Sequence, residues 1–86
     1  MFELFLSGAA RRFCERADRP MKKKLAHCFQ ILEGDPRRHP NVKPLTGAMT
    51  GHFRFRAGDY RIVYFVDDAA RAVHVIRIAH RSEAYR

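Results

Sequence analysis

The sequence predicts an α+β fold in which an N-terminal strand and a helical hairpin pack on a mainly antiparallel four-stranded sheet. Apolar residues repeat at helical spacing between positions 8 and 34. From position 51 onward, apolar and charged residues alternate as they do in strands. The chain has 86 residues, of which 47% are hydrophobic, enough for one compact core. We therefore expect a single domain over residues 1–86.

The N-terminal elements follow from apolar spacing and capping residues. Residues 2–6 form a short apolar run that we interpret as the first strand. Ser7 is a suitable cap for a first helix, and Asp18 for a second helix that ends at Gly34. The two helices are joined too tightly for a crossover, which predicts a helical hairpin.

The C-terminal half is predicted to be a strand meander. Residues 35–50 hold three of the four prolines and read as a long basic loop. Three strands separated by short turns follow, at residues 52–56, 60–66 and 71–79, and a tail closes the chain. The first strand must join the same sheet, because its backbone groups need hydrogen-bond partners.

The charge balance indicates an anionic partner. Seventeen Lys and Arg against nine Asp and Glu give a formal net charge of +8, which favours nucleic acid, an acidic protein or an anionic membrane.

Cys14 and Cys28 have no metal-ligand spacing and are expected to be free thiols in a reducing compartment. The N-terminus does not resemble a signal peptide, and no apolar run is long enough for a membrane span. We expect a cytoplasmic protein without metal or small-molecule cofactor.

Arginines recur on one side of the predicted strands. If Phe53 and Phe55 face the helices, Arg54 and Arg56 face away from them. We expect the core side to carry Ile62, Tyr64, His74, Ile76 and Ile78 as well, with Val73 and Val75 on the opposite side. That choice gathers five arginines on one face: Arg54, Arg56, Arg61, Arg77 and Arg81.

Such a cluster predicts a phosphodiester site. Like charges on neighbouring strands destabilise a sheet, whereas guanidinium groups bind phosphate oxygens bidentately. The simpler alternative is a solvated cationic strand face. A solvated face is the weakest explanation for Arg61, because apolar residues surround that position in the strand.

Other side chains are weaker candidates. Tyr85 is suited to stacking on a base or donating a proton, and equally to packing on the domain. His80 and His52 are candidates for acid–base chemistry, although a lone histidine is more often structural. Glu83 is a candidate base or a partner for Arg81. Two basic runs, Lys22 to Lys24 and Arg37-Arg38, are expected to be solvated or to contact RNA.

Three segments together resemble the RelE/ParE toxin superfamily. They are Leu45-Thr46-Gly47, the RxRxGDYRxxY block within residues 51–64, and the HRxxxY ending within residues 78–86. The resemblance implies a microbial-RNase-like fold and an acidic antitoxin that blocks the active surface. RelE-type members enter the ribosomal A site and cleave mRNA there. The ribose 2′-OH attacks the adjacent phosphate without metal, giving a cyclic phosphate and a 5′-OH.

The resemblance also implies site residues. Arg54 and Arg56 match the paired basic positions of the active strand, Arg61 the arginine of GDYR, and Arg81 and Tyr85 the terminal segment. The arginines would hold the phosphate and stabilise the charge of the transition state. Tyr85 would orient or stack on the base, or assist proton transfer.

The sequence departs from the RelE pattern by carrying arginine where that enzyme has lysines. Arginine is a poor general base, because the guanidinium group does not lose its proton near neutral pH. His80 is then a candidate base, unless the reaction relies on electrostatics and positioning alone.

Two alternatives to the nuclease remain. A ParE-type toxin shares the fold but inhibits DNA gyrase without being an enzyme, and such members usually lack the terminal basic, His and Tyr set. His80, Arg81 and Tyr85 are present, which favours the nuclease. An inactive remnant or a simple nucleic-acid-binding module is the third possibility.

Overall fold

A computed structural model describes residues 1–82 and shows two helices packed on one five-stranded sheet. In chain order the elements are β1 (Glu3–Leu6), α1 (Gly8–Arg16), α2 (Arg19–Gly34), β2 (Val42–Pro44), β3 (Phe53–Ala57), β4 (Tyr60–Asp67) and β5 (Ala72–His80). The α+β class and the helical hairpin are confirmed. Tyr85 and Glu83 lie outside the described residues.

The sheet has one strand more than expected. Its order is β1-β5-β4-β3-β2, with β1 parallel to β5 and the other neighbours antiparallel. The first strand therefore joins the sheet, as predicted. The additional strand β2 lies inside the predicted loop of residues 35–50 and pairs with β3 from Val42 to Pro44. Three residues ending in proline carry no alternation signal, and proline is tolerated in a strand at a sheet edge.

Both predicted helix caps are present. The Ala10 N–H donates to Ser7 Oγ at 3.1 Å, and the Met21 N–H donates to Asp18 Oδ1 at 2.9 Å. These bonds satisfy amide groups that the first turn of a helix leaves unpaired. Helix α2 ends at Gly34, as predicted. Within residues 1–82, neither helix combines the length and the apolar composition that a membrane-spanning helix needs.

The hydrophobic core lies between the helices and one face of the sheet. The helices contribute Ala10, Leu25, Cys28 and Leu32, and the central strands contribute Phe55, Ile62, Tyr64, Val73, Val75 and Ile78. Cys14 and Cys28 are free thiols, and burial raises the pKa of each. Removing this apolar surface from water is the main favourable term in folding.

The predicted alternation of β5 is wrong in the first half of the strand. Val63 is paired with Arg77, but the next residue of β4, Tyr64, is paired with Val75, so Ile76 is an extra residue in β5. A β-bulge of this kind reverses which residues face the core. Val73 and Val75 are buried in the core, Ile76 is not part of the core cluster, and His74 is on the opposite face beside Phe65.

Candidate functional site

Four of the five predicted arginines lie in two rows on the sheet face that points away from the helices. Arg54 is paired with Val63, which is paired with Arg77. In the next row, Arg56 is paired directly with Arg61. Directly paired residues in an antiparallel sheet have their Cβ atoms about 5 Å apart. We call Arg54, Arg56, Arg61 and Arg77 the arginine face.

Three guanidinium groups of this face, those of Arg54, Arg56 and Arg61, make few contacts within residues 1–82. Arg54 Nη1 donates to the Asn41 carbonyl at 3.1 Å, and Arg61 Nη1 donates to the Gly58 and Tyr60 carbonyls at 3.3 and 3.2 Å. Within residues 1–82, Arg54, Arg56 and Arg61 form no ion pair. A guanidinium carries five N–H donors, so most of the donors on Arg54 and Arg61 remain available to an anion.

The carbonyl contacts explain how β4 tolerates a charge in an apolar strand. Arg61 is half-buried, and its guanidinium reaches back to the turn between β3 and β4. That turn connects the paired residues Ala57 and Tyr60, and Gly58 adopts φ 62°, which favours glycine. The turn therefore provides the carbonyl oxygens that solvate the charge.

Arg37 offers a contrast, because it is already engaged by a carboxylate. Its Nη1 and Nη2 atoms donate to the two carboxylate oxygens of Asp68, each at 2.9 Å. The hydrogen bonds from Arg37 hold the pKa of Asp68 below its usual value. Arg37 is thus used to join the segment after α2 to the turn after β4.

Arg81 lies at the end of the arginine face. Its backbone N–H donates to the Asp59 carbonyl at 2.8 Å, which fixes residue 81 beside the turn that links Arg56 and Arg61. The residue is exposed. The backbone thus brings the beginning of the terminal segment next to the second arginine row.

The ring of His80 lies on the helix side of the sheet, although His80 and Arg77 line the same pocket at the end of β5. His80 is paired with Tyr60, and the two rings meet edge to face at 5.6 Å. Tyr60 in turn contacts Phe13 of α1, so this row faces the helices. His80 Nδ1 is 3.1 Å from Ser82 Oγ. His80 therefore lies at the end of β5 with its ring on the side opposite Arg56 and Arg61.

The lysine run on α2 is only partly separate from the arginine face. Lys22, Lys23 and Lys24 are exposed on α2, but the Lys24 ammonium reaches the turn between β3 and β4 at Gly58, and Lys24 lines a pocket together with Arg56. The positions of Lys22 and Lys23 suit a solvated surface or a separate electrostatic contact.

A row of rings, which the sequence did not reveal, borders the arginines on the same face. The rings of Phe5 and His74 stack at 5.4 Å, those of His74 and Phe65 stack at 4.8 Å, and His52 meets Phe65 edge to face at 5.6 Å. We call Phe5, His74, Phe65 and His52 the ring row. The alternation of β4 puts Phe65 on the same side as Arg61, so the sequence alone was sufficient to predict the position of this ring. The β-bulge in β5 reverses the alternation of that strand, so the sequence pattern placed His74 on the wrong face.

Comparison with known proteins identifies the family. Residues 6–85 match the family model for the ParE toxin of type II toxin–antitoxin systems. The toxin RelE of Mycobacterium tuberculosis is 39% identical over 99% of this chain and 87% of its own length. The toxin RelG of the same organism is 36% identical over 87% of this chain and 93% of its own length.

A solved structure agrees with these relatives. The toxin–antitoxin complex RelBE2 of Mycobacterium tuberculosis contains a chain that superimposes with a TM-score of 0.79 and 30% identity, covering 93% of this chain and 98% of that one. The shared fold, the matching family model and the level of identity lead to one conclusion. The chain belongs to the RelE/ParE family of toxins of type II toxin–antitoxin systems.

Proposed function

We propose that this toxin is a ribosome-dependent mRNA endonuclease whose arginine face binds the scissile phosphodiester. The observation that carries the proposal is the register of β3 and β4, which pairs Arg56 with Arg61 and sets Arg54 in the adjacent row. Guanidinium groups at this spacing, without carboxylate partners among residues 1–82, suit the oxygens of one phosphate group. The relatives named RelE support the same assignment.

The proposed reaction needs no metal. The ribose 2′-oxygen forms a bond to phosphorus while the bond from phosphorus to the 5′-oxygen breaks, leaving a 2′,3′-cyclic phosphate and a 5′-OH. Negative charge builds on the non-bridging oxygens in the transition state. Arg54, Arg56 and Arg61 would stabilise that charge, and Arg81 would reach the same phosphate from the end of β5.

The proton transfers require a group other than arginine, because a guanidinium does not lose its proton near neutral pH. The 2′-hydroxyl proton must leave, and the 5′-oxygen must gain one. His80, Glu83 and Tyr85 are the titratable candidates in the terminal segment. Since the ring of His80 is on the helix side of the sheet, it would act only around the end of β5. We therefore give the arginines the larger share of catalysis.

An acidic antitoxin is the second proposed partner. The net charge of +8 favours a partner of opposite charge, and the relative in the RelBE2 structure is part of a toxin–antitoxin complex. An antitoxin that covers the arginine face would block access of RNA to it.

The experiment is to express the chain in cells and map mRNA 5′ ends. Cuts in phase with codons are expected for the intact chain, and Arg56→Ala is expected to lower cutting roughly 100-fold, as removal of a transition-state charge partner does. Arg56 is exposed, so the substitution should leave the fold intact. Arg11→Ala is the matched control, because it removes the same charge from an exposed position on α1.

The second candidate function is inhibition of DNA gyrase, which the ParE description of the matching family model favours. Intact transcripts together with double-strand breaks in DNA would support it and would reject the endonuclease. Full mRNA cutting by Arg56→Ala would reject the arginine face as the site while keeping the activity.

A further inference from the structure

We propose that the ring row binds a nucleobase of single-stranded RNA on the same side of the sheet as the arginine face. The inference rests on the proposed RNA-cleaving function and extends it from the scissile phosphate to a base farther along the strand. No residue of the ring row belongs to the phosphate-binding set. It is therefore a separate subsite on the same surface.

The first argument is the geometry of the rings. Phe5, His74 and Phe65 belong to three adjacent strands and stack with interplanar angles of 17° and 15°. His52 contacts Phe65 edge to face, at an interplanar angle of 75°. The stack therefore does not continue beyond Phe65. The other end is Phe5 on β1, the outermost strand of the sheet. The stack thus has one open end, where a further flat ring would continue it.

The second argument is exposure. Phe5 is 44% exposed, and Met1 is the one other exposed large hydrophobic residue within residues 1–82. A single exposed apolar side chain is ordinary on a protein surface, but Phe5 continues a row with the partly exposed rings of His74 and Phe65, and contact of such a row with water is unfavourable. A nucleobase removes this surface from water and requires no matching side chain, since every base has a π face.

The third argument is the position relative to the arginines. His74 is three residues from Arg77 along β5, no more than about 10 Å at the rise of a strand. The rings therefore border a cationic surface, which suits a chain that alternates phosphates and bases. An uncharged apolar segment would complement the rings but not the adjacent positive charge. This favours an occupant in which flat apolar groups alternate with negative charges, and the RNA of the proposed function is such a chain.

The test measures binding of a fluorescently labelled single-stranded RNA whose 2′-hydroxyls are methylated, so that it is not cleaved. Phe5→Leu keeps an apolar side chain but removes the π face, whereas Phe5→Trp keeps a π face. We expect Phe5→Leu to weaken binding roughly 5- to 100-fold, the range observed when base–aromatic stacking is lost. Phe5→Trp should bind at least as tightly as the unchanged chain. Thermal unfolding of both variants checks the fold.

Two further measurements identify the contact. RNAs with one abasic nucleotide, moved stepwise along the strand, should contain a position at which Phe5→Leu has no additional effect, because the stacked base is already missing. The dependence of binding on salt should be the same in Phe5→Leu and the unchanged chain, since phenylalanine displaces no counterions.

The outcomes separate this inference from the proposed function. If the unchanged chain binds the RNA and Arg56→Ala weakens binding while Phe5→Leu does not, the ring row is not a base subsite and the arginine site stands. If the unchanged chain does not bind RNA, both proposals fail. If Phe5→Leu weakens only the complex with the acidic antitoxin, the row is a protein interface and the inference is overturned.

Discussion

Tyr64 and Arg61 both belong to the RxRxGDYRxxY block but have different roles. Arg61 lies on the arginine face, whereas Tyr64 is fully buried on the other side of β4. The Tyr64 hydroxyl donates to the Pro36 carbonyl, just beyond the end of α2. Burial raises the pKa of Tyr64, which keeps its proton available for this bond. A residue of the family motif thus fixes the path of the chain between α2 and β2.

Tyr64→Phe should therefore destabilise the fold without changing the phosphate site. We expect the free energy of unfolding to fall by about 1–3 kcal/mol, because the buried Pro36 carbonyl loses its donor. Urea denaturation measures the change. Tyr60→Phe is the control, since Tyr60 is half-buried and no hydrogen bond of its hydroxyl occurs within residues 1–82. Equal stability of the two variants would show that the Pro36 bond is energetically unimportant.

At the level of elements, the sequence correctly predicted the features that depend only on residues close together in the chain. The alternation of β3 and β4 fixed the side occupied by Arg54, Arg56 and Arg61. Capping residues located the start of both helices. The second half of β5 also followed the alternation, with Ile78 in the core and Arg77 on the opposite face.

The bulge in β5 was not predictable in this way, because part of its support comes from a distant residue. Ser7 Oγ donates to the Ile76 carbonyl at 2.8 Å, and the Ser7 N–H donates to the Val75 carbonyl at 2.9 Å. These contacts join positions 69 and 68 residues apart in the chain. No window of sequence around β5 contains them, and His74 was consequently assigned to the wrong face.

Ser7 thus has two roles, which a pair of substitutions can separate. Ser7→Ala removes both the cap of α1 and the bond to the bulge, whereas Asp18→Ala removes only the exposed cap of α2. A lost cap costs about 1 kcal/mol. An unpaired carbonyl in partly buried surroundings adds about another 1 kcal/mol. We expect chemical denaturation to show a larger loss for Ser7→Ala, by about 1 kcal/mol, and equal losses would mean that the bulge does not need the hydroxyl.

At the scale of the whole molecule, the excess of positive charge is distributed over two layers. The arginine face is on the sheet, while Lys22 to Lys24 are on α2. Net charge indicated an anionic partner. It could not indicate whether that partner binds the sheet or the helices, because composition does not give the positions of the charges in the fold. Strand register supplied that information for the arginines. Register also placed the ring of His80 on the side of the sheet opposite Arg56 and Arg61, which the motif alone did not reveal.

The dependence of RNA binding on salt tests this division of charge. Each cation that contacts a phosphate of single-stranded RNA contributes about 0.7 to the slope of log K against log salt concentration. Arg54→Ala and Arg56→Ala should each reduce the magnitude of the slope by about 0.7. Arg11→Ala removes the same charge from α1 and should leave the slope unchanged. If all three substitutions reduced the slope equally, RNA would be responding to total charge, and the arginine face would have no special part in binding it.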